Sequence, residues 1–475
     1  MSSVRLRALK GATLTVAALA GAAVSPLLAQ ERLLLGLGII ATLVGAGLMF
    51  ATPARDHGRV VAGGHLVLHL APVGLLMVAY PVAATRITSG LDRVPLLTIL
   101  LAASASVPWL SQAGCLPLYR VIGDMLPVLD RASHDDVAHR LVQAWPGVLL
   151  RTAPVVLLFA IPLELVLRWP LRVWLVLVLL LLLHLVFAQS VVLANVTQRR
   201  LRWAVSWLAY AAALLAAPTW WPLPAILATA VHVVPLLRAD RAARTAAGAV
   251  ATARRSRRTA VPLAQTWQDV VRGFLMGSVL WADKLLLFVM TAGLFQVDVV
   301  YLAMLPVVLA YNFYFVRVAP AFDRDVIRLR HALEREPLAG LASTTRELVH
   351  GTVAGLSRTA GIAGVLTLGI VGIISVLRPH LASLAAAVAL ASWVFMAVTL
   401  LSYKLDYVGH RTSAMVVGAV HLVLVVLAFA TLSATSAYVA LAIGDCALLV
   451  VTAYLVQRAW SSPAYTLFWR HATSW

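Results

Sequence analysis

The sequence predicts an all-α integral membrane protein of about fourteen transmembrane helices, and three observations lead there. Hydrophobic residues fill 61% of the 475 positions and charged ones only 12%, with a mean hydropathy of +0.90; an ordinary soluble domain carries about 25% charged residues. Apolar runs of roughly twenty residues, the length a helix needs to cross a hydrocarbon core, recur along the chain. No alternating segments of about ten residues mark barrel strands. The net charge of +19 would suggest nucleic acid in a soluble chain, but here the basic residues sit between apolar runs and report topology instead.

Arg5, Arg7 and Lys10 precede a first apolar run at 11–29. It ends like a signal-peptide cleavage site, although a retained helix is the favoured reading. Spans follow at 33–52, 60–80 and 94–114, limited by Pro, Gly and charge clusters such as TRITSGLDR. Residues 115–146 mix charges with leucine and valine at helical spacing, as in an amphipathic surface helix. Further spans fall at 147–167, 171–195, 203–218 and 220–238, with Trp220 and Trp221 as interfacial anchors. An Ala- and Arg-rich stretch from 238 to 262 suits an anionic lipid surface. Six more spans fall at 270–292, 297–319, 352–377, 381–401, 412–431 and 436–457. With both termini cytoplasmic, 29 of the 38 Lys and Arg residues lie on the inside and six outside, as the positive-inside rule requires. Cys115 and Cys446 are expected to be inert packing residues.

The loop lengths repeat. Two helices, a charged segment of about thirty residues and four closely connected helices occur twice, which predicts two six-helix lobes in a parallel repeat. The domains expected are an N-terminal two-helix appendage at 1–58, a first lobe at 59–238, a basic linker at 239–266, a second lobe at 267–458 and a tail at 459–475. A substrate path between such lobes is a known transporter plan.

Within the run at 270–292, Asp283 and Lys284 stand in an otherwise apolar stretch. A charge at the centre of a lipid-facing helix costs at least about 2.5 kcal/mol, so such residues face a protein interior or a wet cavity. Neighbours on a helix point about 100° apart, so each is expected to have a separate partner. Asp445, about 18 Å into the last span, is the partner expected for Lys284. Tyr311 and Tyr314 belong to an aromatic group at 311–315 that suits sugar stacking or an interfacial belt. Arg151, Arg272 and Arg358 are read as topology anchors that snorkel, and Glu164 and Asp298 as solvated helix ends. His65 and His69 share a helical face but lack companion ligands, and His184 and His421 read as packed, hydrogen-bonded residues.

GFLMGSVLWADKLLLF at 273–288 and YFVRVAPAFDRDVIRLRHAL at 314–333 resemble the PelG family of exopolysaccharide transporters. That family belongs to the superfamily of multidrug, oligosaccharidyl-lipid and polysaccharide exporters. The resemblance is strongest over 270–350 and weaker over 60–170. It implies two six-helix lobes, carries over Trp281, Asp283 and Lys284 as an aromatic-Asp-Lys motif, and implies export of a cationic or partly deacetylated polysaccharide.

The function expected is a permease of the bacterial inner membrane that exports an exopolysaccharide or its lipid-linked precursor. Its expected partners are membrane lipids, the polysaccharide and a cytoplasmic glycosyltransferase with other membrane subunits of a synthesis complex. No nucleic acid, cofactor or metal is expected. One alternative is a proton- or sodium-coupled exporter of small cationic compounds. Another is a glycan-modifying membrane enzyme, for which SHDDVAHR at 133–140 offers the only candidate acids. Walker A, HExxH and Gly-rich dinucleotide motifs are absent from the sequence, which argues against an enzyme.

Overall fold

A computed structural model of the chain describes residues 31–51, 82–129, 134–196, 200–238, 262–335, 338–461 and 463–465, with part of 64–80. The first described helix, α1 (Glu31–Ala51), is followed by the partly described helical stretch at 64–84 and a short hairpin of β1 (Gly90–Leu91) and β2 (Val94–Pro95). Then come α2 (Leu96–Leu129), α3 (His134–Thr152), α4 (Val155–Leu167), α5 (Leu171–Val196), α6 (Arg200–Ala216), α7 (Leu223–Arg238) and α8 (Leu263–Met290). The rest is α9 (Val297–Phe313), a π-helical turn (Tyr314–Val318), α10 (Ala319–Arg335), α11 (Leu338–Leu377), α12 (Ala382–Tyr407), α13 (Arg411–Thr431) and α14 (Ala434–Ala459).

The protein is an all-α, multi-pass membrane protein: nine helical segments among the described residues are long and apolar enough to cross a membrane. Three of the other expected spans, at 33–52, 203–218 and 220–238, correspond to shorter apolar helices. The run at 11–29 lies outside the described residues, and that at 60–80 is described only in part.

The charged segments differ from expectation. In place of a short span and a separate amphipathic helix over 115–146, α2 runs unbroken to Leu129 and α3 starts at His134. Leu118, Val121 and Ile122 prolong the apolar stripe of α2 and pack on Leu141, Val142 and Trp145 of α3. Helix α10 follows the π turn in the same manner and buries Phe322, Val326, Leu329 and Ala332. Between the strands, Asp92 and Arg93 both have positive φ (47° and 70°), the conformation a two-residue hairpin turn requires.

By packing, the chain forms two compact units. One is Gly74–Phe295, and the other joins the chain up to Val73 with Gln296 onward. This partition differs from the expected lobes at two places. Helix α8, expected to open the second lobe, belongs to the unit containing α2, and α1, expected to be an appendage, is built into the unit containing α11.

Close backbone approach explains both. A Cβ on Gly273 would lie 2.4 Å from the Gln112 carbonyl oxygen, and one on Gly277 would lie 2.8 Å from the Gln112 Cβ. These glycines, four residues apart on one face of α8, let its backbone meet α2 directly, as small-xxx-small faces do in membrane helices. The Trp109 indole N–H donates to the Phe274 carbonyl (2.7 Å), and the two rings stack at 4.5 Å. In the other unit a Cβ on Gly38 would lie 2.8 Å from the Gly369 carbonyl oxygen, and one on Gly45 would lie 2.6 Å from Leu366.

Gly273→Ala is therefore expected to lower the unfolding free energy by about 1–3 kcal/mol through overpacking. Gly361→Ala, whose Cβ would meet nothing within 4 Å, should be neutral or gain up to about 1 kcal/mol of helix propensity. Denaturant titration of the two variants in mixed micelles compares them.

Candidate functional site

Three groups of buried polar residues concentrate the chemistry. The first lies along α8. Asp269 is 1% exposed and receives two guanidinium groups. Arg120 of α2 clasps it through Nε and Nη2, the latter 2.7 Å from Oδ1, and Arg272 reaches Oδ1 from one turn along α8 at 2.9 Å. Arg272 is thus a buried ion-pair member rather than the snorkelling anchor expected. Its charge is held by the Asp one turn before it, and its side chain has no need to reach the interface.

Further along the same helix, Asp283 and Lys284 are 0% and 2% exposed. They pair with each other, Nζ to Oδ2 at 2.8 Å, and the ammonium also donates to the Leu280 carbonyl at 3.1 Å. The expectation that the 100° offset keeps them apart is corrected here. The flexible four-carbon stem of Lys284 folds back along its own helix and closes the angle. Neither carboxylate oxygen of Asp283 has an aligned hydrogen bond, so the contact is an ion pair alone. Successive α2–α8 contacts run antiparallel, from Arg120 with Asp269 through Ala113 with Gly273 to Trp109 with Gly277. Continued by two turns, that register sets Asp283 at the level of the small-residue stretch Ala102–Ser106.

The second group joins α13 to α14. Asp445 pairs with His421, whose Nδ1 lies 2.9 and 3.0 Å from the two carboxylate oxygens, and both residues are 0% exposed. The Lys284–Asp445 pairing is therefore corrected: each finds a partner within its own unit, His421 being one hairpin away from Asp445. Phe395 of α12 closes over the imidazole edge-to-face at 4.9 Å.

The third group contains Tyr311 and Tyr314. The Tyr311 and Tyr403 hydroxyls hydrogen-bond at 3.1 Å, and Phe315 packs on both rings. Lys404 is 4% exposed and points its ammonium at Phe322 (3.0 Å to the ring centre) and Tyr314 (5.6 Å). Such cation–π contacts are worth up to about 2 kcal/mol when desolvated. The Tyr407 hydroxyl donates to Asp323, whose carboxylate acts on the Lys404 ammonium as an opposite charge. Trp460 stacks edge-on against Phe322 and donates its indole N–H to the Lys404 carbonyl.

The structure thus brings Tyr311 and Tyr314 together around Tyr403 and Lys404. Asp445 has its own partner in the same unit, and Trp281, Asp283 and Lys284 stay on α8 in the other. Lys404, Asp323, Asp269 and Arg120 were missed as site residues. A signal was present for two of them, in the lysine within SYKLDY at the end of an apolar run and the i, i+3 spacing of Asp269 and Arg272.

His184 bonds the Leu180 carbonyl and the Tyr210 hydroxyl, as a packed histidine should. Glu164 is partly buried and Arg358 exposed. His65, His69, the side chains of Asp298, His134, Asp135 and Asp136, and the basic run at 239–261 lie outside the described residues. No group of three or more His, Cys, Asp or Glu residues that could hold a metal occurs among the described residues. The chain matches no family model, no curated protein and no solved structure.

Asp269→Ala should destabilise the protein by about 3 kcal/mol or more, because the buried carboxylate that pairs with Arg272 and Arg120 is removed from between them. Adding Arg272→Met to that variant should recover part of the loss. The midpoints of detergent-based unfolding for the single and double variants measure both effects.

Proposed function

We propose that this chain is a secondary-transporter-like permease of the bacterial cytoplasmic membrane, with both termini in the cytoplasm, which exports an exopolysaccharide or its lipid-linked precursor. The observation that carries the reading is the Asp283–Lys284 pair, withdrawn from solvent within an apolar helix, its carboxylate without an aligned hydrogen bond. Ionisable groups kept in such a place against a cost of several kcal/mol mark substrate or ion pathways. The resemblance of residues 270–350 to the PelG family directs the reading toward polysaccharide. Tyr311, Tyr403 and Phe315 supply a cluster of rings and hydroxyls of the kind that binds sugars.

The order of elements supports a parallel repeat. Long α2 corresponds to α9 with its π turn and α10, the pair α3 and α4 to α11, and α5, α6 and α7 to α12, α13 and α14. The partners proposed are membrane lipids, the polymer, and a cytoplasmic glycosyltransferase with other membrane subunits of its synthesis complex.

A second reading, a proton- or sodium-coupled exporter of small cationic compounds, is favoured by the buried ionisable groups on α8 and α14. One experiment separates the two. Deleting the gene should abolish secreted polymer, the wild-type chain should restore it, and Asp283→Asn should insert normally but leave secretion near the deletion level. Secretion untouched by the deletion, with loss of resistance to lipophilic cations, would replace the first reading by the second.

A further inference from the structure

We propose that His421 and Asp445 form an exchangeable-proton site inside the α13–α14 hairpin, the pair holding either one proton or two. Both side chains are 0% exposed, and the imidazole Nδ1–H is spent on Asp445. That leaves Nε2 buried and without a hydrogen-bond partner. With one proton on the ring the pair carries a charge of −1; with two it is neutral. A net charge in a low-dielectric interior requires a counter-ion or a proton.

No fixed charge faces the pair from the three helices that pack there. Residues 382–403 of α12 contain no Asp, Glu, Lys or Arg, the only such residue of α13 is Arg411 at its start, and α14 has Asp445 and the terminal Arg458. The other titratable groups on α14 are Cys446, half-buried, Tyr438, two turns away, and Tyr454, exposed on the outer face. Lys404 lies at the far end of α12, where its carbonyl meets Trp460, fifteen residues or about 22 Å along α14 from Asp445. From α12 itself come Phe395, edge-on to the imidazole, and, one turn earlier on the same face, the buried and unpartnered hydroxyl of Ser392. The proton is bound either on Nε2, giving an imidazolium beside a carboxylate, or on the carboxylate as the ring changes tautomer. No bond other than N–H or O–H is made or broken.

The site stands whether or not the chain is a permease, and the test reads protonation directly. Infrared difference spectra of the full chain in lipid nanodiscs, recorded between neutral and acidic buffer, should show an imidazolium ring band or a neutral-carboxyl C=O band. That band should vanish in Asp445→Asn and in His421→Gln and persist in Asp283→Asn. The exchanged pair His421→Asp with Asp445→His keeps the same groups and should restore it, which separates loss of the site from loss of folding. A difference spectrum identical in wild type and both single variants would overturn the proposal. So would a band lost in the single variants and not regained in a folded exchanged pair.

Discussion

A charge inside a membrane-spanning helix has no water to turn to, so its partner has to come from the protein, and that demand shapes both units. Asp269 answers it for two arginines at once, one on its own helix and one on α2. In so doing it ties together the helices that run closest in the first unit. Removing the carboxylate would leave like charges facing each other, and removing the arginines would leave a buried anion. The pair of helices is specified by electrostatics as well as by fit.

Fit supplies the rest. The small face of Gly273 and Gly277 brings backbone against backbone, so the many weak contacts of α8 with α2 are made at short range. Gln189 adds polar glue on the other side of α2. Its amide donates to the Gly114 carbonyl and the Thr152 hydroxyl and accepts from the Trp145 indole, so α2, α3 and α5 share one buried network. In the second unit the same part is played by Gly38 and Gly369 between α1 and α11, and by aromatic rings around Lys404.

Against that background the incompletely bonded groups stand out. Asp269 is saturated with donors, whereas Asp283 has one ammonium and no aligned hydrogen bond, and His421 has one ring nitrogen bonded and one not. A group held in a low-dielectric interior with spare bonding capacity interacts strongly with whatever approaches it. Saturated clusters stabilise, while unsaturated ones are where a substrate group or a proton gains most by binding. This contrast separates Asp283 and His421–Asp445 from the structural ion pair on Asp269.

Much of the fold is legible in the sequence, because length and hydropathy of each run already require a membrane helix and leave few alternatives. The apolar runs and the unusual position of Asp283, Lys284 and Asp445 follow from local composition, whereas the hairpin at 90–95 and the unbroken course of α2 to Leu129 did not, because each depends on contacts made across the fold. Nor does pairing. Whether Lys284 turns to Asp445 or to its own neighbour depends on how its stem lies along α8, and whether Asp445 meets a lysine or a histidine depends on the register of α13 with α14. The grouping of α8 with α2 and of α1 with α11 was equally hidden, since glycines permit close approach without naming the partner. The sequence by itself determined a multi-pass helical membrane protein with ionisable residues buried in its spans, because hydropathy is a local property. Only the tertiary structure decided which charge answers which, because burial makes every such choice depend on groups distant along the chain.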